Sequence, residues 1–195
     1  MGRPLRVVGV SGSLHEPSRT TELVRVILAE VGARTEIEST LIEIAALGPG
    51  FAGALHRHQV SPAVEEALQL IESADLLVVG SPVYRASFTG LFKHLFDFVG
   101  QYDLVGTPVL LAATGGGERH ALIIEHQLRP LFGFFQALTL PIGVYASSSD
   151  FANDFANDGV TSPEVSRRVV QAVDRSLPLV EHATLVRRSE YVTTW

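Results

Sequence analysis

The chain has 195 residues, of which 46% are hydrophobic, and a formal net charge of −6 at pH 7. This length suits one domain with a substantial core, and no stretch approaches the roughly 20 apolar residues that a membrane-spanning helix requires. Cysteine is absent, which excludes disulfides, thiolate catalysis and iron–sulfur clusters. The acidic balance disfavours nucleic acid, because binding to a phosphate backbone requires a basic surface. With no secretory pattern at the N-terminus, we predict a cytoplasmic protein without nucleic-acid or membrane partners.

The first element predicted is a buried strand that runs into a hydroxyl-rich loop. Leu5 to Ser11 has the pattern of a strand buried on both faces. Hydroxyls and backbone N–H groups ahead of a helix suit a phosphate, although the same residues also cap helices. The loop lacks the lysine of a nucleoside-triphosphate loop and the glycine spacing of a dinucleotide fold, so flavin mononucleotide (FMN) is the first candidate ligand. The candidate phosphate ligands are Ser13, His15, Ser18, Thr20 and Thr21.

Strands and helices then alternate along the chain. This order implies a parallel sheet with helices on both faces, and we predict an α/β three-layer sandwich with five parallel strands in the order 2-1-3-4-5. Residues 1–185 form one domain in this prediction and residues 186–195 a C-terminal tail. The further predicted strands are Glu36–Ile44, Leu76–Ser81, Pro108–Ala113 and a segment near Ile142–Ala146, and the helices are Thr21–Val31, one starting at Ser61 and Pro62, Thr89–Val99, His120–Phe135 and Pro163–His182.

Glycine- or hydroxyl-rich turns follow strands one, three and four. These strands are neighbours in the predicted order, so the three loops converge at the carboxyl edge of the sheet, where such folds bind ligands. The second loop supplies backbone amides and an aromatic side chain for a flavin ring, and the glycines of the third permit close approach of its backbone. The candidate ring-binding residues are Pro82, Val83, Tyr84 and Arg85 in the second loop and Thr114, Gly115, Gly116 and Gly117 in the third.

With these loops the chain resembles the NAD(P)H-dependent FMN reductases, and within them the reductases of two-component alkanesulfonate and methanesulfonate monooxygenase systems. The resemblance implies a flavodoxin-like fold, an FMN site built from the three loops, and hydride transfer from NADH or NADPH to FMN. It also implies a homodimer or homotetramer, and a partner monooxygenase that receives reduced FMN. The matching segments are Gly12–His15, Ser18–Thr20, Ser81–Tyr84, Gly90–Lys93 and Thr114–Gly116.

Two residues depart from the family pattern. His15 stands where the family often has arginine, and Arg85 where it often has asparagine. Because a histidine is cationic only part of the time near neutral pH, we expect a weaker or pH-dependent hold on the phosphate. Arg85 either supplies compensating charge or faces the phosphates of the nicotinamide donor. The hydride step needs no side-chain acid or base, so no catalytic residue is assigned from it.

The helix after the third loop contains a proline. Pro130 lacks the N–H that would bond to the carbonyl of His126, which is compatible with a kink or a π-bulge, and such bulges often mark functional sites. The resemblance adds that sulfonate-system reductases carry an inserted residue in this helix, near the flavin and at a subunit interface. His126 is therefore a candidate functional residue, with a solvent-facing histidine as the alternative. Phenylalanines on this helix and the preceding one are candidates for subunit contacts or for the core.

Other functions remain as alternatives. An FMN-retaining quinone, azo or metal-ion reductase and a non-enzymatic flavodoxin-type electron carrier both suit the predicted fold. A nucleophile elbow at Gly9–Ser13 is disfavoured because serine replaces its final glycine, and His56 and His58 have no further ligands nearby in the sequence for a metal. The tandem repeat in Asp150–Asp158 is a surface loop or a lid over the bound ligand.

Overall fold

The computed structural model of the chain describes residues 3–151 and 162–187 and contains a parallel six-stranded sheet. Its strand order is β2-β1-β3-β4-β5, with β6 also paired to β4. The predicted order 2-1-3-4-5 is therefore confirmed, with β2 on an edge. The strands are β1 (Leu5–Ser11), β2 (Ile37–Glu43), β3 (Leu76–Pro82), β4 (Pro108–Gly115), β5 (Leu138–Thr139) and β6 (Val144–Ser147).

The predicted fifth strand is divided into two segments. β5 pairs with the start of β4, at Pro108 and Val109, and β6 pairs with its second half, from Ala112 onward. Leu140 still donates its backbone N–H to the Val109 carbonyl at 2.9 Å. Pro141 follows at once and lacks the N–H that a continuous ladder requires. The prediction found only the second segment of this strand.

Helices cover both faces of the sheet, which makes the three-layer sandwich. Helices α1 and α6 pack on one face in a buried apolar cluster, while α3, α4 and α5 pack on the other. No helix in residues 3–151 and 162–187 combines the length and apolar character needed to cross a membrane. The helices are α1 (Arg19–Gly32), α2 (Ile44–Leu47), α3 (Pro62–Glu72), α4 (Gly90–Phe96), α5 (Arg129–Phe134) and α6 (Pro163–Arg187), with a π-helix at Ile124–Leu128 before α5.

The predicted helix starts agree with the structure better than the predicted helix ends. Ser61 accepts a hydrogen bond from the Val64 amide at 3.4 Å and Thr89 caps α4, as Ser and Thr do at N-caps. Helix α4 ends at Phe96 rather than at Val99. Helix α6 continues past His182 to Arg187, into the segment predicted as a tail. The rest of that tail and most of the Asp150–Asp158 repeat lie outside the described residues.

The aromatic residues considered for subunit contacts are mostly core. Phe96 lies 4.9 Å from Phe92 and 5.0 Å from Phe132 between ring centroids, and all three are buried. Phe135 is also buried, whereas Phe134 is 60% exposed. Packing between α4 and α5 therefore explains this apolar sequence, and Phe134 is the member of the group that faces outward.

Arg57 anchors the segment between α2 and α3 to the body of the protein. Its guanidinium donates to both carboxylate oxygens of Glu65 at 2.9 Å, to Glu72 at 3.0 Å and to the Phe98 carbonyl at 3.3 Å. The hydrogen bonds from Arg57 hold the pKa of Glu65 below its ordinary value. Arg57 is thus one of several contacts that hold this segment, together with the buried ring of Phe51 and the 2.9 Å hydrogen bond from the Ser61 amide to the Gly50 carbonyl.

Candidate active site

Direct hydrogen bonds join the three loops at the carboxyl edge of the sheet. The Gly12 amide donates to the Gly80 carbonyl at 2.7 Å, and the Thr89 hydroxyl donates to the Gly12 carbonyl at 2.8 Å. The Val83 amide donates to the Thr114 carbonyl at 2.7 Å. The predicted convergence of the loops is therefore observed, because adjacent parallel strands end side by side.

The hydroxyls nearest α1 are buried and paired with one another. Ser18 is the N-cap of α1 and accepts from the Thr21 amide at 3.1 Å. The Thr21 hydroxyl lies 2.8 Å from that of Ser11, and the Thr20 hydroxyl lies 2.6 Å from that of Thr114. Ser18 therefore caps the helix and Thr20 links α1 to the third loop, while phosphate binding by these residues stays a prediction.

Ser13 and His15 form a tight turn within the first loop. The Ser13 hydroxyl donates to the His15 carbonyl at 3.0 Å and accepts from the His15 amide at 3.3 Å. Ser13 is buried, while the His15 side chain is exposed. The Arg19 guanidinium, on the first residue of α1, donates to the Ser148 hydroxyl at 3.3 Å and is a second cationic group beside this loop.

The second loop is a tight hairpin in a strained conformation. Tyr84 and Ser87 exchange two backbone hydrogen bonds, of 2.7 and 3.2 Å. The two residues between them, Arg85 and Ala86, have φ angles of 53° and 69°, a conformation usually taken by Asn and Gly in such turns. Because the amides of Val83 and Tyr84 are already used inside the protein, they are not the free ring donors that the sequence suggested.

The glycines of the third loop differ in what surrounds them. A side-chain Cβ at Gly115 would lie 2.3 Å from the Tyr145 hydroxyl oxygen, whereas one at Gly116 or Gly117 would meet no heavy atom within 4 Å. The Tyr145 hydroxyl donates to the Gly117 carbonyl at 2.6 Å and holds the loop. Burial, with the nearby charge of Glu118, raises the pKa of Tyr145. The open side of the loop is therefore available for a ligand.

A π-helix precedes α5 at the place where the proline indicated an irregular turn. It spans Ile124–Leu128, and the Arg129 amide donates to the Ile124 carbonyl, five residues earlier. The backbone stays helical from Ile123 through the π-helix into α5, so Pro130 lies directly after the irregular turn within one continuous helical segment. His126 is exposed, and its neighbour Gln127 accepts a hydrogen bond of 3.0 Å from the Ser87 hydroxyl of the second loop.

A cavity of about 190 Å³ lies between the second loop, the turn that follows the third loop, and the π-helix. The cavity lies beside the second loop, where the sequence predicts a flavin ring, and the His126 side chain is in its wall. Its walls include Val83, Ala86, Arg119, His120, His126 and Gln127.

Comparison with known proteins decides the family. Residues 5–152 match the family model of NADPH-dependent FMN reductases. The chain belongs to this family. It is 52% identical over 189 residues to the NADH-dependent FMN reductase SfnE of Pseudomonas putida, covering 97% of this chain and 100% of that one. It is 50% identical over 179 residues to an FMN reductase (NADPH) of Pseudomonas aeruginosa, covering 92% and 94%.

Solved structures agree with this assignment. An oxidoreductase from Corynebacterium diphtheriae matches with a TM-score of 0.79 and 31% identity over 93% of this chain and 99% of that one. The NADH:FMN oxidoreductase EMOB in its apo form matches with a TM-score of 0.73 and 29% identity, covering 95% and 91%. This FMN reductase is therefore flavodoxin-like, and its reaction uses FMN and a reduced nicotinamide. Family membership favours an enzyme over the electron carrier.

The residues present fit FMN. The open backbone at Gly116 and Gly117 leaves room where a Cβ would project, and the hydroxyl-rich loop precedes the 14-residue helix α1, which suits a phosphate. Sequence reasoning missed Thr89, Gln127 and Tyr145 as supports of the site. Thr89 had a readable N-cap signal, whereas the contacts of the other two join segments far apart in the sequence and leave no local pattern.

Proposed function

We propose that this reductase uses FMN as an exchangeable substrate and passes reduced FMN to a separate sulfonate monooxygenase. One observation carries the proposal: the first loop offers the FMN phosphate an exposed histidine, His15, while the guanidinium of the neighbouring Arg19 is hydrogen-bonded to Ser148. A phosphate held in this way is released more readily than one enclosed by a buried arginine pair. The two-component resemblance and the 52% identity to an enzyme named NADH-dependent FMN reductase SfnE support it.

Each loop has a separate role in this proposal. The residues proposed to bind the phosphate are Ser13, His15, Ser18, Thr20 and Thr21. The flavin ring lies against the second loop, from Pro82 to Arg85, and the third, from Thr114 to Gly117. When bound, FMN supplies the chemistry by accepting a hydride from the nicotinamide.

The protein positions the two substrates for this reaction and needs no proton donor at the reacting atoms. The Thr20–Thr114 hydrogen bond and the Tyr145 bond to Gly117 keep the first and third loops at a constant separation. The Ser87–Gln127 hydrogen bond sets the distance between the second loop and the π-helix. Such preorganisation supplies rate because misplacement of the reacting atoms by about 1 Å is costly.

We further propose a homodimer or homotetramer in the cytoplasm, where a supply of reduced nicotinamide is available. Exposed apolar side chains on both sides of the π-helix support an interface there: Leu122 is 63% and Phe134 60% exposed. His126, exposed between them on the π-helix, is the candidate functional residue at this place. Replacement by alanine is expected to change turnover, flavin retention or oligomeric state, and no change in any of the three would remove His126 from the site.

A coupled assay tests the proposal. The purified protein is dialysed and its FMN content is measured, and NADH and NADPH oxidation is then followed with added FMN. An FMNH2-dependent sulfonate monooxygenase and an alkanesulfonate are added, and sulfite is measured. We expect little retained FMN and sulfite release that requires the reductase, the donor and FMN together.

Chemically reduced FMN serves as the control, since it must support sulfite release without the reductase. One FMN retained per chain after dialysis, or donor oxidation without sulfite while the control succeeds, would contradict the proposal. Electron transfer to quinones, azo compounds or metal ions by a protein that retains its FMN would instead support the alternative reductase class.

A further inference from the structure

The cavity beside the π-helix lies at the flavin-ring end of the site rather than at its phosphate end. The first loop follows β1, whereas the cavity is walled by Val83 and Ala86 after β3 and by Arg119 and His120 after β4. In this sheet β1 and β4 are separated by β3, which places their ends about 10 Å apart at the usual strand spacing. A ligand group in the cavity is thus distinct from the FMN phosphate.

Cationic and imidazole side chains are concentrated around this cavity. Arg119, His120 and His126 line it, and Arg85 precedes Ala86 in its wall. In the described part of the chain, neither arginine has a carboxylate within 4.0 Å. In an acidic protein with a net charge of −6, a guanidinium without a carboxylate partner in the wall of a cavity suits an anionic ligand.

The acidic groups near the cavity, Glu118 and Glu125, form no salt bridge with Arg119 in the part of the chain that the structure describes. Glu125, beside His126, is bound by the Arg129 guanidinium through hydrogen bonds of 2.6 and 2.9 Å. Glu118 precedes Arg119, and its charge acts on the Tyr145 hydroxyl behind the third loop, where it helps to raise the pKa of Tyr145. The guanidinium of Arg119 therefore remains available to a ligand.

We propose that Arg119, assisted by His120, binds the pyrophosphate of the nicotinamide dinucleotide. The inference rests on the reductase activity in the proposed function and adds a subsite for the donor. The donor must place its nicotinamide on the flavin ring for hydride transfer, and its pyrophosphate then lies one ribose away, beside the ring. The cavity at the ring end is at this position, and a guanidinium is suited to phosphate oxygens. The 2′-phosphate of NADPH is on the far adenosine and falls outside it.

Matched charge removals test this assignment. Arg119→Gln is compared with Arg175→Gln, which removes the same charge from an exposed position on α6, on the opposite face of the sheet. Steady-state constants are measured with NADH, NADPH and FMN, without any monooxygenase. For Arg119→Gln we expect the KM of both donors to rise about tenfold, as for the loss of one charge-assisted hydrogen bond. We expect kcat and the KM for FMN to change less than about twofold, and Arg175→Gln to match the wild type.

Competitive inhibitors separate the anionic group from the rest of the donor. ADP-ribose carries the pyrophosphate without nicotinamide, and adenosine lacks both. The inhibition constant of ADP-ribose against NADH is expected to rise with that KM in Arg119→Gln, with little change for adenosine, and Arg119→Lys is expected to restore part of the affinity. The thermal unfolding temperature of Arg119→Gln, expected to equal that of the wild type, is the check on folding. If Arg119→Gln is unstable, the donor KM of Arg119→Lys is compared with that of the wild type instead.

Several outcomes overturn the assignment. A donor KM within twofold of wild type refutes the contact, and an increase confined to NADPH assigns Arg119 to the 2′-phosphate instead. A rise in the KM for FMN in place of that for the donor assigns the cavity to the flavin. Failure of sulfite release in the coupled assay, with donor oxidation intact, contradicts only the transfer to a monooxygenase and leaves the pyrophosphate subsite standing.

Discussion

The replacement Gly115→Ala tests how the third loop is supported. The new Cβ would lie 2.3 Å from the Tyr145 hydroxyl oxygen and 3.3 Å from the Cβ of His120. The first distance is shorter than nonbonded carbon and oxygen atoms approach, so the tyrosine or the loop must move. Tyr145 is only 4% exposed and has little space for movement. The 2.6 Å hydrogen bond from its hydroxyl to the Gly117 carbonyl is the contact that is lost.

The expected cost follows from that hydrogen bond. A typical bond contributes about 0.5–1.5 kcal/mol, and a buried partner left unsatisfied costs about 1–3 kcal/mol. We expect Gly115→Ala to lower the free energy of unfolding by about 2 kcal/mol, which for a chain of this length is a fall in Tm of about 4–8 °C. Displacement of the Gly117 carbonyl also moves the loop, so the KM for FMN is expected to rise.

A cycle of variants isolates the clash. Gly116→Ala is the matched control, because its Cβ would meet no heavy atom within 4 Å, and its stability is expected to stay within about 0.5 kcal/mol of wild type. Tyr145→Phe removes the oxygen and leaves the ring carbon Cζ 3.3 Å from the new Cβ at Gly115. In that background Gly115→Ala is expected to cost much less, since the two changes share one contact.

Unfolding by urea and by heat, measured without FMN, gives the stabilities of the wild type, the three single variants and the double variant. Equal losses for Gly115→Ala and Gly116→Ala would show that the glycine is required for another reason. An unreduced cost of Gly115→Ala in the Tyr145→Phe background would refute the clash with the hydroxyl.

Three further predictions concern the rest of the fold. Hydrogen bonds from Arg57 lower the pKa of Glu65 in the folded protein, so this pair stabilises the protein above the ordinary glutamate pKa and the contribution is lost as the pH falls through the lowered value. The free energy of unfolding, measured with urea, is therefore expected to fall less for Arg57→Met than for the wild type between about pH 6 and about pH 3. Parallel pH profiles of the two proteins would contradict this. Gln136 has a φ of 55° after the end of α5, where glycine is preferred, so Gln136→Gly is expected to raise the free energy of unfolding by up to about 1 kcal/mol, and a lower Tm would refute the reasoning. Thr20→Val or Thr114→Val leaves one hydroxyl of a buried pair unsatisfied, so each is expected to lower the free energy of unfolding by about 1–3 kcal/mol and to raise the KM for FMN. The double variant is expected to lose less stability than the two single variants combined. Additive losses of stability would show that the pair does not interact.

Local signals predicted several features of the fold around the candidate site. Ser61 and Pro62 marked a helix start that the structure confirms, because N-capping depends on residues within one turn. Pro130 indicated an irregular turn, which appears as the π-helix, because proline acts on a carbonyl only four residues away. The same proline did not indicate where α5 begins, since that depends on packing against the sheet.

Contacts between distant segments account for what the sequence reasoning missed. The amides of the second loop are occupied within the hairpin and by Thr114, which no periodicity reveals. Gly115 and Gly116 are identical neighbours in the sequence, yet only the first is closed by Tyr145 from another strand. The aromatic residues of α4 and α5 looked suited to a subunit interface until their packing showed most of them in the core.

By itself the sequence indicated the alternation of strands and helices and the three loops, because buried strands, turn residues and helix caps depend on short segments whose physics is local. The strand order and the family came from the resemblance of these motifs to known flavin reductases. Only the tertiary structure decided which hydroxyls and amides remain available to FMN and where positive charge faces a cavity. Both depend on atoms brought together from distant parts of the chain. The residues of the hydroxyl-rich loop indicated a candidate phosphate site, while its pairing with Thr114 and its separation from the Arg119 cavity required the folded sheet.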